Sequence, residues 1–311
     1  MYDVGEVNTI THSDEALSLS EDDIPTAPMD EAPGIHPPED SEGPREGSIE
    51  PPSRWLLLIE GRAVYELASS AFALPLLRRR HQGDGHPVLT LPGFLASDTS
   101  TGPLRYYLQD IGYAPHRWHQ GRNLGPREGV EVKLEERIRH LYRRYDGRKV
   151  SLLGWSLGGL YARLMAHRLP DLVRCVITLG SPFGGDPRAN HAWRLFEQFS
   201  GQPIDEIAQR TREHIRTPPP VPSTAIYSRS DGVAHWRCCV DPAGPETESV
   251  EVRGSHLGLG FNPMVLHVIA DRLGQPEGGW KPFRRRGLER LVYRRAWGRK
   301  KEKNVGEVGK G

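Results

Sequence analysis

The chain has 311 residues, a formal net charge of +1 and an apolar fraction of 37%. That length holds one large domain with tails, and 34 Gly with 27 Pro leave part of it outside any core. The near-neutral total hides two charged ends. Residues 1–52 carry fourteen Asp/Glu against one Arg, and residues 281–311 carry twelve Lys/Arg against three Glu. Cys175, Cys238 and Cys239 fit neither a disulfide framework nor a zinc site, which suits a reducing compartment. No basic region followed by an apolar core opens the chain, and no apolar run is long enough to span a bilayer. A cytoplasmic location is the expectation.

In chain order, residues 1–52 read as an acidic, Pro- and Ser-rich disordered tail. Residues 53–80 read as a helix capped by Ser53, with Leu56, Ile59, Ala63, Leu67 and Ser70 near helical spacing. Pro75 is expected to kink or end it early. The helix suits packing on the core better than lying on a membrane surface. Val88–Leu91 is a short buried strand closed by Pro92-Gly93. A helix over 101–111, a strand over 113–118 and an amphipathic helix over 127–145 follow. The last of these carries Val130, Leu134, Ile138, Leu141 and Tyr145 at helical spacing and stops at Gly147. Next come strand 150–153, helix 158–169 and strand 174–179. Strand candidates at 224–227 and 249–252 precede a helix over 263–273 with Asn262 as cap and Pro263 at its first position. Alternating strands and helices imply a doubly wound α/β domain over residues 53–280, with a mostly parallel sheet covered on both faces. Residues 281–311 form a basic tail.

The sharpest chemical signal is Gly154-Trp155-Ser156-Leu157-Gly158 between a strand and a helix. In that setting a tight, strained turn lifts the serine hydroxyl to the top of the sheet, and the glycines remove side chains that would collide with neighbouring backbone. Ser156 is therefore the candidate nucleophile. Its base should be a histidine late in the chain. His256, in a glycine-rich loop after the last strand, fits best, with His235 as rival and His267 assigned to a surface or packing role. An acid must fix the imidazole tautomer. Asp231, in Ser228-Arg229-Ser230-Asp231-Gly232, sits where the order Ser…Asp…His places it. Asp241 is the fallback, and Asp205 falls in an inserted segment. The backbone N–H groups of Leu157 and Phe94 are the candidate oxyanion donors. The chemistry calls for no metal and no cofactor.

Four segments carry a resemblance to the lipase/esterase branch of the α/β-hydrolase superfamily: Leu91-Pro92-Gly93-Phe94, Gly154-Trp155-Ser156-Leu157-Gly158, Ser228-Arg229-Ser230-Asp231-Gly232 and Gly254-Ser255-His256. Gly180-Ser181-Pro182-Phe183-Gly184-Gly185 is similar to the Gly-Ser-Pro-His-x-Gly loop of bacterial lipases. Pro92 stands where many lipases have His, and Phe183 replaces the loop His; both point away from strict triglyceride lipases. The resemblance implies hydrolysis of carboxylic esters through an acyl-enzyme. The alternatives are an acyltransferase or thioesterase using the same triad, or a non-catalytic binding protein on the same fold. It also implies a small helical lid over 186–220, where Leu195, Phe196, Phe199, Ile204, Ile207 and Ile215 supply apolar faces. A small-molecule or lipid ester is the expected partner, and nucleic acid is not. Phe283–Lys303 reads as a basic amphipathic helix able to rest on anionic membrane.

Overall fold

A computed structural model describes residues 49–80, 82–186, 188–201, 214–285, 287 and 289–293. By its internal contacts the chain divides into Met1–Arg45 and Glu46–Gly311; all that follows concerns the second unit.

Two helices open it, α1 (Arg54–Leu58) and α2 (Ala63–Arg80), joined by a 3-10 turn over Ile59–Arg62. Ser53 caps α1 by accepting from the Leu56 N–H at 3.4 Å. Of the two outcomes expected of Pro75, an early end does not occur: α2 runs on through it to Arg80. Pro75 and Ala71, four residues back, are both exposed. Water can therefore solvate the carbonyl that proline leaves without a donor.

The sheet has six strands: β1 (Pro87–Leu91), β2 (Ala114–His116), β3 (Val150–Trp155), β4 (Val173–Leu179), β5 (Ser223–Ser228) and β6 (Thr247–Val252). Their spatial order is β2-β1-β3-β4-β5-β6, and every pairing is parallel. Intervening helices are α3 (Gly102–Asp110), α4 (Val130–Arg144), α5 (Leu157–Arg168), α6 (Trp193–Ser200), α7 (Pro263–Leu273) and a terminal turn, α8 (Glu289–Val292).

Side chains alternate across the strands and build one core on each face. Leu153 and Trp155 of β3 with Ile177 and Leu179 of β4 pack toward Leu104, Leu108, Val265 and Ile269 of α3 and α7. Val150 and Leu152 of β3 with Leu89 and Leu91 of β1 pack toward Leu134, Ile138 and Leu141 of α4 and Met165 of α5. The sheet is thus wound on both faces, and β1, β3 and β4 are mostly apolar because neither of their faces meets water, while β5 and β6 carry Ser, Thr and Glu among their buried residues. All C-terminal strand ends lie along one edge, the place where such sheets position reactive loops.

Cys238 and Cys239 lie in a 3-10 turn, Trp236–Cys239, not on a strand, and all three cysteines are free thiols. No helix among the described residues is long and apolar enough to cross a membrane. Of the basic tail, Phe283 and Tyr293 turn inward: their rings meet edge to face, and the Tyr293 hydroxyl donates to the Met264 carbonyl at 2.9 Å. These two side chains are packed on α7, which takes them from the surface that the expected membrane helix needs. Its residues from 294 onward lie outside the described residues.

Candidate active site

Ser156 sits between the last residue of β3 and the first of α5, with φ +52° and ψ −120°. A non-glycine residue there is strained and persists only because its surroundings hold it. The glycines around it show what holds it. A Cβ on Gly154 would lie 2.4 Å from the Gly158 carbonyl oxygen in α5, and one on Gly158 would lie 2.2 Å from the Leu91 carbonyl oxygen of β1. Strand, turn and helix therefore approach more closely than any side chain permits. The Ser156 N–H donates to the Leu179 carbonyl at 2.8 Å, tying the turn to β4.

Asp231 follows β5 and His256 follows β6, and both are buried. His256 Nδ1 lies 2.6 Å from Asp231 Oδ2. The other carboxylate oxygen, Oδ1, accepts from the Val233 and Ala234 N–H groups, each at 2.8 Å. This loads the carboxylate fully and fixes its plane. Burial works against the imidazolium. The Asp231 charge, its hydrogen bond and the Glu60 charge outweigh that and raise the His256 pKa above the ordinary imidazole value. The neighbour of Ser156 reaches the same loop: Trp155 Nε1 donates to the His256 carbonyl at 3.1 Å. Gly180, at φ +54°, closes the space between them; a Cβ there would stand 3.0 Å from Asp231 Oδ2 and 3.1 Å from His256 Nδ1.

The alternatives have other employment. Asp241 receives both terminal nitrogens of the buried Arg163, at 2.6 and 2.9 Å. That guanidinium also lies 3.8 Å from the Phe183 ring centroid and donates to the Ile215 carbonyl at 2.6 Å. The pair thus anchors the segment after α6 and the loop that carries Phe183. His235 accepts from the Arg237 N–H at the start of the 3-10 turn, and burial lowers its pKa. His267 is buried in α7 against Glu289, Phe283 and Tyr293, the packing role of the two expected. Asp205, Ile204 and Ile207 lie outside the described residues.

Both candidate oxyanion donors border the serine. Leu157 is the first residue of α5, so no carbonyl one turn back can take its N–H. Phe94 follows Gly93, whose added Cβ would stand 3.3 Å from Ser156 Cβ. A cavity of about 160 Å³ opens here, with Ser156, Leu157 and Phe94 on its floor and Leu160, Tyr161, Leu164, Phe183, Trp193 and Phe196 among its walls. Within the expected lid, α6 contributes Trp193 and Phe196 to that wall, and Phe94 meets Phe196 and Phe199 edge to face at 5.5 and 6.2 Å. The wall is apolar except at a few points. The Tyr161 hydroxyl is not one of them: it is buried from solvent and makes no hydrogen bond among the described residues.

Two buried carboxylates, Glu60 and Glu66, escaped sequence reasoning. Glu60 Oε1 accepts from the Gly232 N–H at 2.7 Å and the His256 N–H at 3.0 Å, and Oε2 accepts from the Leu257 N–H at 2.9 Å. Glu66 Oε1 accepts from the Ser255 N–H at 2.7 Å, and Oε2 from Asn262 Nδ2 at 2.9 Å. Arg62 donates to the Ser230 and Gly254 carbonyls. The opening helices therefore grip both the loop of Asp231 and the loop of His256. The available signal was that Glu66 and Ser70, four apart, share the helix face opposite Ala68 and Phe72.

Residues 88–238 match the family model described as alpha/beta hydrolase fold. No curated protein matches the chain. Among solved structures the chain is similar to the mature lipase BlEst2 of Bacillus licheniformis, at 15% identity over 63% of this chain and 95% of that one, TM-score 0.45. It is also similar to one of the metagenome-derived lipolytic enzymes LipS and LipT, at 15% identity over 62% and 95%, TM-score 0.49. A third is the monoacylglycerol lipase of Paleococcus ferrophilus, at 14% identity over 61% and 96%, TM-score 0.44.

Proposed function

The chain has an α/β-hydrolase fold, and from that premise we propose that it is a serine hydrolase of carboxylic acyl esters. The observation that carries the reading is the convergence on one edge of the sheet of a strained serine and a buried, hydrogen-bonded Asp–His pair. Asp231 takes the Nδ1 proton of His256 into a hydrogen bond and leaves the Nε2 lone pair for the Ser156 hydroxyl. As Ser156 Oγ attacks the ester carbonyl, His256 removes its proton and Asp231 stabilises the imidazolium. The Leu157 and Phe94 N–H groups meet the oxyanion. His256 then protonates the leaving alkoxide. In the second half a water molecule, deprotonated by His256, attacks the acyl-enzyme; the bond to Ser156 Oγ breaks, His256 returns the proton to Oγ, and the acid departs. The apolar cavity takes the acyl group, and α6 screens it from water, the part a lid would play.

The test is covalent labelling by a fluorophosphonate together with hydrolysis of a chain-length series of nitrophenyl esters. Wild-type protein labels and turns over; Ser156→Ala does neither, with kcat down on the order of a millionfold. A folded wild-type protein that neither labels nor hydrolyses any ester of the series refutes the reading. Partition of the acyl group to an added alcohol or thiol, in preference to water, would assign it to acyl transfer.

A further inference from the structure

Between residues 54 and 80 the only acidic residues are Glu60 and Glu66, and both turn inward onto the catalytic loops. The opposite face is apolar. Val64, Ala68, Phe72 and Leu76 recur every four residues along it, with Tyr65 beside them. Val64 is 76% exposed, Tyr65 77%, Phe72 86% and Leu76 62%, and Trp55 on α1 is 69% exposed. Arg54 and Arg79, both exposed, stand at the two ends of this face. Water therefore meets a set of large apolar and aromatic side chains bounded by guanidinium groups, and neither helix adds a carboxylate to it.

We propose that this outer face of α1 and α2 docks on an anionic lipid surface. Aromatic and aliphatic side chains with basic residues at the margin are the composition of a helix that lies in the plane of a membrane interface. Each guanidinium adds attraction to anionic headgroups. A second copy of the chain fits less well. A two-fold pairing of this face sets Arg54 against Arg79 of the other copy, or each against itself, so like charges meet whichever way the helices run. Docking places lipid against the backs of the helices whose inner faces hold the loops of Asp231 and His256. The substrates of the proposed activity are then esters presented in the bilayer, an extension that rests on the hydrolase reading; the docking itself does not.

The experiment uses the full chain with Ser156→Ala, so that lipid stays intact and binding is read apart from turnover. Cosedimentation is measured with phosphatidylcholine vesicles, with and without phosphatidylglycerol. Binding is expected to strengthen with phosphatidylglycerol. Val64→Ser/Tyr65→Ser/Phe72→Ser should weaken it by at least about a hundredfold, since three apolar side chains no longer enter the interface. Arg54→Glu/Arg79→Glu should remove the phosphatidylglycerol preference, about tenfold or more. The same triple variant with Ser156 intact should hydrolyse a soluble nitrophenyl ester like wild type. The proposal is overturned by full chain that binds neither vesicle. It is equally overturned by a triple variant that binds as tightly as its parent, which would assign binding to the basic C-terminal segment. A dimer that the triple variant dissociates, without vesicle binding, would assign the face to a second copy. Vesicle binding by a protein that hydrolyses no ester would leave the docking standing and remove the hydrolase reading.

Discussion

Glu60→Ala strips three backbone N–H groups, of Gly232, His256 and Leu257, of the acceptors that now lie 2.7–3.0 Å away. A buried donor without an acceptor costs about 1–3 kcal/mol, and water entering the vacated space returns part of that, so the variant should lose about 3–5 kcal/mol. A domain stable by about 5–15 kcal/mol survives such a loss. The damage is concentrated on the loop that carries the base, and a displacement there of about 1 Å can cost about a hundredfold in kcat/KM. Glu60→Gln separates charge from shape. It keeps one acceptor oxygen and nearly the same volume but removes a negative charge that raises the His256 pKa. His256 must be neutral to act as base, so kcat/KM rises with pH through the His256 pKa, above the ordinary imidazole value in wild type. Without the Glu60 charge the imidazolium is less stable, the pKa falls and the acid limb moves to lower pH. The assay is kcat/KM for a soluble nitrophenyl ester against pH, paired with urea unfolding of each variant. An Ala variant that unfolds at the wild-type urea concentration and keeps kcat/KM within about twofold would refute the clamp. A Gln variant whose acid limb stays in place would refute the electrostatic part alone.

Three further predictions concern separate parts of the molecule. Asp241→Ala leaves the buried Arg163 uncompensated and should cost about 3–5 kcal/mol in urea unfolding while the folded fraction still labels with a fluorophosphonate; Asp231→Asn should do the reverse, cutting kcat about ten-thousandfold with little change in stability. If both variants lose the same property, the assignment of the acid fails. Tyr161→Phe removes a buried hydroxyl that makes no hydrogen bond among the described residues; urea unfolding should show stability held or raised by about 1–2 kcal/mol, since an unpaired polar group leaves the interior. A loss of about 1 kcal/mol or more would show that the hydroxyl is paired in the fold. His86 is held neutral in the fold, its pKa lowered to about 4 by burial and by the Arg174 charge. Acidification from about 6.5 toward 4 protonates the unfolded chain first, so stability falls across that window, by on the order of 3 kcal/mol from this group. His86→Gln, which can still meet Ser151, should flatten the wild-type dependence there; parallel curves would show that His86 contributes none of it.

Much of the frame is legible along the chain. The period of 3.6 over 130–144 placed Leu134, Ile138 and Leu141 inward, and the structure buries all three. The strand–Gly-x-Ser-x-Gly–helix run marked Ser156 because the geometry that strains it is built by residues within a few positions. Caps such as Ser53 and Asn262 are equally local. Whether Pro75 would end α2 was not legible, because that depends on whether water reaches the freed carbonyl, which is a property of the surface and not of the neighbouring residues.

What the sequence determined by itself, then, is whatever covalent neighbours enforce: the elements, their apolar faces and the tight turn at Ser156. Tertiary structure alone decided which strand lies beside which, and hence that the loops after β3, β5 and β6 share one edge. It alone gave the two acids after β5 their partners, His256 for Asp231 and Arg163 for Asp241, where chain order had only ranked them. It alone turned the opening helices polar side inward, placing Glu60 on an imidazole loop 196 residues away. Hydrogen bonds across such separations leave no local pattern, because a carboxylate is equally at home in water until the fold supplies the N–H groups, two of them buried, that need it.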